Sequence, residues 1–394
     1  MKLKKILSAL LAAAIVTLSA CGAAPAETTA AETTTTAQTA VTAQTAVTAQ
    51  TTAETTAAET TTKAEVTAAA TKETTEEQTK AAQEAAAEVT AEAESKGEGA
   101  KSFNAADYLP ADLKATPALW RVTDNDTGNS LYMMGSIHIT LDSTFPLPDY
   151  IMEVYEGSDG IAVEYDIRKI ESDFLVQIKY LSALALNDGT TIKDHLSPET
   201  YEKAKQFLTD CGIYNEAYEA YNACYWESLI TNAAFMKVEG VDIQTGIDKY
   251  FMNLATKDGK RVVDIEQLSD QTDALTAMSD RLVDSIISDS IDEIDSIPEA
   301  LCGLYEAWAK GDIEGMEELN ELEKAEIPEE FKEDYEVYNY FLEEKRNIGM
   351  AQRAKEFLKN GDNLFYMVGF AHFSGEGSVI NLLEKDGYTV ERLY

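Results

Sequence analysis

Little in this sequence is equipped for chemistry, which makes the exceptions easy to find. The 394 residues include three histidines and four cysteines, and 32 Lys and Arg stand against 70 Asp and Glu. The shortage of basic charge leaves a formal net charge of −38. A surface that acidic repels phosphate backbones, so nucleic acid is excluded as an expected partner. The cysteines have no metal-ligand spacing: after Cys21 only Cys211, Cys224 and Cys302 remain. A Cys211–Cys224 bridge is open to them, but both lie in apolar helical contexts where buried free thiols are common. Phosphate loops, Ser-His-Asp arrangements and CxxC pairs are all missing.

One apolar run stands out at the start, Ile6 to Leu18, behind Lys2, Lys4 and Lys5 and ahead of the small residues Ser19 and Ala20. It is too short and wrongly flanked for an ordinary membrane span, and reads as a secretory signal over residues 1–20. Leu18-Ser19-Ala20-Cys21 matches a bacterial lipobox, which makes Cys21 the lipidated first residue of the mature chain. The expected location is therefore the extracellular face of the cell membrane, with the lipid as the sole membrane contact. From Gly22 to about Gly99 the chain is almost wholly Ala, Thr, Glu and Gln, without an aromatic residue and with a TAQTAV repeat from Thr36. Such a segment cannot offset its ordering entropy, so residues 21–102 are expected to be a disordered linker, with a root-mean-square span on the order of 50 Å. The folded domain is then residues 103–394.

Within it, Leu119 to Thr123 and Leu131 to Ile137 flank a cluster of turn formers, Asp124 to Asn129, and predict a hairpin. Gly160 to Glu164 and Arg261 to Ile265 read as buried parallel strands, each leading into a carboxylate, Glu164 and Glu266. Helical patterning runs from about Glu171 to Val238, with a start signal at Ser197-Pro198-Glu199. It resumes from about Asp270 through Glu323, and again over Glu329 to Lys359. Leu364 to Val368, a helix near Gly377 to Lys385 and a strand at Tyr388 to Leu393 close the chain. The expected fold is α/β: a mixed, mostly parallel sheet flanked by helices, with a helical insertion.

Two of the three histidines sit in a repeated pattern, Gly135-Ser136-Ile137-His138 and Gly369-Phe370-Ala371-His372, each directly after an apolar strand. Gly135 and Gly369, lacking a Cβ, let the chain turn sharply or let a neighbouring backbone approach. Four strands thus end in His138, Glu164, Glu266 and His372, at the edge where open α/β sheets place their ligands. Two imidazoles with one or two carboxylates form a plausible site for Zn, Mn or Co, ahead of Mg or Ca, and such an ion would activate water for hydrolysis. A metal-free pair is the alternative, one His acting as general base oriented by Glu164 or Glu266. The third histidine, His195, precedes a helix cap and is assigned a surface or capping role.

The stretches LWRVTD, LYMMGSIHI, FPLPDYIMEVYEGSDGIAVEYD, GIDKYFMNLATKDGKRVVDIEQLSDQ and EEKRNIGMAQRAKEFLKNGDNLFYMVGFAHF through Leu393 occur in the order found in the TraB/GumN family, related to the Tiki proteins, which this chain resembles. The resemblance covers about Ala118 to Leu393, loosely from about Leu275 to Pro328. It implies an α/β core and, from the Tiki branch, a metal-dependent protease using the two GxxH histidines and a glutamate. By motif these are His138 and His372 as metal ligands and catalytic groups, with Glu164 as third ligand or general base. Glu266 follows as a further ligand or support, with Gln271 paired to it and the Arg346-Asn347 pair holding substrate or orienting Glu164. The expected function is a surface-tethered metallopeptidase acting on exported peptides or proteins. Two alternatives stand beside it: a peptide-sequestering lipoprotein without activity, and a metal-free His/Glu hydrolase resembling erythromycin esterases.

Overall fold

The computed structural model of the chain describes residues 102–394. The proposed signal peptide, Cys21 and linker lie outside the described residues.

Six strands form the central sheet: β1 (Leu119–Thr123), β2 (Ser130–Ser136), β3 (Gly160–Val163), β4 (Arg261–Asp264), β5 (Leu364–Gly369) and β6 (Thr389–Arg392). They lie in the order β6-β1-β2-β5-β3-β4. The β1–β2 and β6–β1 pairs are antiparallel, while β2–β5, β5–β3 and β3–β4 are parallel. Asp124 closes the hairpin as anticipated, its backbone N–H donating to the Asn129 carbonyl at 2.9 Å.

Because side chains alternate along a strand, both faces of the parallel strands are apolar and both are covered. Phe365, Met367, Ile161 and Val163 face one way, with α1 (Asp149–Gly157), α6 (Ile247–Asp258) and α9 (Ile297–Ala309). Tyr366, Val368 and Ala162 face the other, with α12 (Lys345–Asn360) and α13 (Val379–Lys385).

A third core stands apart from the sheet. It contains residues of α2 (Arg168–Ser172), α3 (Phe174–Leu184), α4 (Pro198–Asp210), α5 (Ala223–Phe235), α7 (Leu268–Leu275), α8 (Asp280–Asp292) and α11 (Lys332–Asn339), around the fully buried Trp226. This is the helical insertion, built from three separate passes of the chain. The start signal at Ser197 holds: its Oγ accepts from the Thr200 N–H at 3.2 Å, with proline in the first turn.

The acidic stretch expected as one helical region from Asp270 to Glu323 is four helices: α7, α8, α9 and α10 (Ile313–Glu326). Gly311 breaks α9 from α10 at φ +62°, and Asp312 caps the new start through the Gly315 N–H at 2.9 Å. Only α8 and α7 join the insertion. Helix α9 belongs to the sheet, where the Trp308 Nε1–H donates to the Gly135 carbonyl at 2.9 Å. Cys211, Cys224 and Cys302 are free thiols. Among the described residues no helix is long and apolar enough to cross a membrane.

Candidate active site

The two GxxH motifs lie on neighbouring parallel strands in near register, Gly135 beside Val368 and Ser136 beside Gly369. That pairing puts both histidine turns at one edge of the sheet. The ends of β3 and β4 add Glu164 and Glu266, whose backbones stay paired past the strands: the Glu266 N–H donates to the Glu164 carbonyl at 2.8 Å. Above this edge the insertion and α9 leave a narrow cleft of about 60 Å³ that opens to solvent. Its wall includes His138, Glu164, Arg346, His372 and the apolar side chains Leu301 and Leu304.

The glycines act by close approach. A Cβ on Gly135 would fall 2.6 Å from Phe370 Cδ2, and one on Gly369 would fall 3.1 Å from Glu164 Oε1. Neither needs a left-handed backbone; Gly369 sits at φ −50°.

Arg346, from the first turn of α12, is 4% exposed and holds the carboxylates together. Its Nε donates to Glu266 Oε1 and its Nη2 to Glu266 Oε2, both at 2.9 Å, a bidentate grip. Nη2 also reaches Glu164 Oε2 at 2.5 Å, and Gln271 donates to Glu266 Oε2 at 2.7 Å and Glu164 Oε2 at 3.3 Å. Burial acts to raise the Glu164 carboxyl, but Arg346, with both histidines and the Gly369 N–H, outweighs it and holds the group well below the usual carboxylate range. Glu266 is pushed up: burial outweighs Arg346, and the charge on Glu164 adds to it.

The other Glu164 oxygen accepts from the Gly369 N–H at 2.5 Å and lies 3.7 Å from His372 Nε2. The His372 tautomer follows from its other neighbour. Asn347 donates its Nδ2 to the Gly377 carbonyl, so its Oδ1 faces His372 Nδ1 at 2.6 Å and requires a proton there. His372 Nε2 therefore carries the lone pair. Burial, then the positive Arg346, pushes the imidazole down to about 3, so the ring is neutral.

His138 is paired with a different residue. Its Nδ1 makes an ion-pair contact with Asp248 Oδ2 at 3.1 Å without the alignment of a hydrogen bond, and so close a carboxylate favours a proton on Nδ1. Here burial opposes the charge and Asp248 outweighs it, leaving the imidazole raised above its ordinary value. Asp248 is in the first turn of α6, and Gly246 makes the contact possible: a Cβ there would be 2.7 Å from His138 Cα. The Ile247 N–H also donates to the Ile137 carbonyl at 2.9 Å. Sequence reasoning passed over Asp248; the Gly246-Ile247-Asp248 triplet, a glycine before a first-turn carboxylate, was the signal for it.

The structure thus brings His138, His372, Glu164, Glu266, Gln271, Arg346 and Asn347 together, and adds Asp248. His195 lies elsewhere, its ring between Thr190 Oγ1 at 2.7 Å and Asp280 Oδ2 at 2.8 Å. It also caps a short 3₁₀ turn, as expected.

A divalent ion fits part of this donor set. Two imidazoles beside an anionic Glu164 oxygen are ligands of the kind that suit Zn, Mn or Co. Glu266 is set apart from the other three, held by Arg346 and Gln271 and absent from the cleft wall that His138, His372 and Glu164 share. The four-ligand set expected from the sequence is not assembled: among the described residues no three His, Cys, Asp or Glu side chains form a group spaced to hold a metal ion.

The family model of the TraB/PrgY/gumN family matches residues 118–392. The chain belongs to this family. It is also similar to Metalloprotease TIKI2 of Danio rerio, 21% identical over 320 residues, which cover 69% of this chain. The aligned region spans 60% of that relative's length. No solved structure matches the chain with significance.

Proposed function

We propose that this TraB/PrgY/gumN family member is a hydrolase that cuts peptide bonds in exported peptides or proteins, held at the outer membrane face by a lipid on Cys21. The observation that carries this reading is the matched pair of histidines. Each Nδ1 faces a side-chain oxygen, Asp248 at ion-pair distance for His138 and Asn347 through a hydrogen bond for His372, and both rings line one cleft. That is how proteins orient imidazoles for metal ligation or proton transfer.

In the metal-dependent form, which the similarity to a metalloprotease favours, His138 and His372 would hold the ion, and Glu164 would join them only after a shift of these side chains from the spacing described above. A divalent ion there would supply an activated water and polarise the scissile carbonyl. Arg346 keeps Glu164 anionic, which suits a ligand and makes that carboxylate a weak base. Glu266 fixes Arg346 in place, and Gln271 ties the two carboxylates together.

A second, metal-free reading draws on the unequal histidines. Asp248 raises His138 while burial and Arg346 depress His372. An acid–base pair whose members are pushed apart is suited to proton transfer by the raised group, with the neutral ring donating or accepting a hydrogen bond. Activity that survives chelation would select this form. A sequestering protein without activity would deplete peptides from solution without creating new termini. Mass spectrometry of candidate peptides after incubation separates that outcome from cleavage, and an absence of new termini across a broad peptide panel would overturn the hydrolase reading.

A further inference from the structure

One carboxylate in the cleft is not accounted for by the catalytic arrangement. Glu343 lies on the cleft wall with Leu342, in a π-helical turn, Tyr340–Glu344, that leads directly into α12. Such turns interrupt a regular helix at an energetic cost and recur at functional sites. Among the described residues neither a hydrogen bond nor an ion pair reaches the Glu343 carboxylate. Only through-space charge acts on it: Lys324 and Arg346 favour the anion, while Glu344 and Glu321 oppose it. Arg346 cannot serve as its partner, being committed to Glu266, Glu164 and the Leu342 carbonyl.

The same cleft wall carries the apolar side chains Phe235, Leu301, Leu304 and Leu342. A half-buried carboxylate that lacks a hydrogen-bonded partner and feels opposite charge only through space is unfavourable on its own. Burial accordingly raises its proton affinity. A cation entering the cleft reverses that cost, and does so better here than at the surface because the apolar wall lowers the local dielectric.

Resting on the peptidase reading, we infer that Glu343 binds a cationic group of the substrate peptide while a neighbouring apolar side chain packs on Phe235, Leu301, Leu304 and Leu342. Glu343 is then a specificity determinant and not a catalytic residue. Ammonium can come from a free amino terminus or from a lysine side chain, and the chemistry is the same in both cases.

The test uses the exported chain and fluorogenic peptides that share one scissile region in four forms: free or acetylated amino terminus, each with lysine or norleucine beside it. Wild type is expected to prefer the forms that carry a positive charge, by about tenfold in kcat/KM, since a hydrogen bond to a charged group is worth ~1.5–3 kcal/mol. Acetylation abolishing the preference assigns the site to the amino terminus; norleucine abolishing it assigns the site to lysine. Glu343→Gln is expected to raise KM for the charged peptides about tenfold, with kcat and the uncharged peptides little changed. Wild-type cleavage with an unaltered charge preference in Glu343→Gln overturns this inference and leaves the peptidase reading standing. If wild type cleaves none of the peptides, the peptidase reading fails. Fluorescence polarisation with the same labelled peptides then still decides the role of Glu343, through loss or retention of preferential binding to the charged forms.

Discussion

Gly135, the first residue of one GxxH motif, packs directly against Phe370, the second residue of the other. The side chain missing from Gly135 would lie 2.6 Å from Phe370 Cδ2 and 2.9 Å from its Cα. The two histidine turns share one site because these backbones touch, and any Cβ at 135 separates them. Gly135→Ala is expected to destabilise the domain by about 1–3 kcal/mol, as overpacking typically does. Gly157→Ala, where a Cβ meets nothing within 4 Å, serves as the control. Chemical denaturation of both variants checks this; equal stability for the two would remove the packing role of Gly135.

Arg346 is the one cation between two buried carboxylates, so removing it leaves Glu164 and Glu266 without a counter-charge. Arg346→Gln is expected to cost about 3–5 kcal/mol, and Arg346→Lys less, since lysine keeps the charge and loses the bidentate contact with Glu266. The loss should be greatest at neutral pH. Glu164 has its folded-state pKa depressed, so its stabilising contribution is present above the unfolded pKa of a glutamate and is lost as pH falls through the lower folded value. A denaturation series from pH 7 downward should therefore show the wild type and Arg346→Gln converging, and a constant gap would contradict the assignment.

Glu227 carries a separate pH signature within the insertion. It is 2% exposed and accepts hydrogen bonds from the hydroxyls of Thr231, at 2.8 Å, and Ser228, at 3.5 Å. Burial pushes its carboxyl up to about 7, with those hydroxyls opposing the shift. The folded state thus holds a proton that the unfolded chain releases near the ordinary value, so stability is fully present below that value and declines as pH rises towards about 7. Glu227→Gln should leave stability near pH 4 little changed and raise it above pH 7 by about 3 kcal/mol. A mutant that follows the wild-type pH curve would show that Glu227 is not a buried, protonated acid.

The strands, their order of appearance and the two glycine-histidine turns were legible because parallel strands buried on both faces leave continuous apolar runs. Glu164 and Glu266 were legible as strand ends. The fate of Glu266 was not: a carboxylate looks the same in sequence whether a metal or an arginine eighty residues away neutralises it. Asp248 and Glu343 were missed for a related reason. Their roles depend on α6 packing against the Ile137–His138 backbone and on a π-helical turn that rephases the approach to Arg346, and neither leaves a periodic signal. The long acidic stretch concealed its division because helices of similar composition differ only in what they pack against, and Trp308 on the Gly135 carbonyl is what assigns α9 to the sheet.

The central claim is that His138 and His372 act together in a hydrolytic site, and its most direct measurement is peptide cleavage by wild type, His138→Ala, His372→Ala and Asp248→Asn after metal removal and readdition. Wild type is expected to lose activity on chelation and regain it with Zn, Mn or Co. Either histidine variant should fall by at least about a thousandfold, and Asp248→Asn by about 10–100-fold, as for other partners that orient a ligand histidine. Full activity in both histidine variants, with circular dichroism unchanged, would contradict the account.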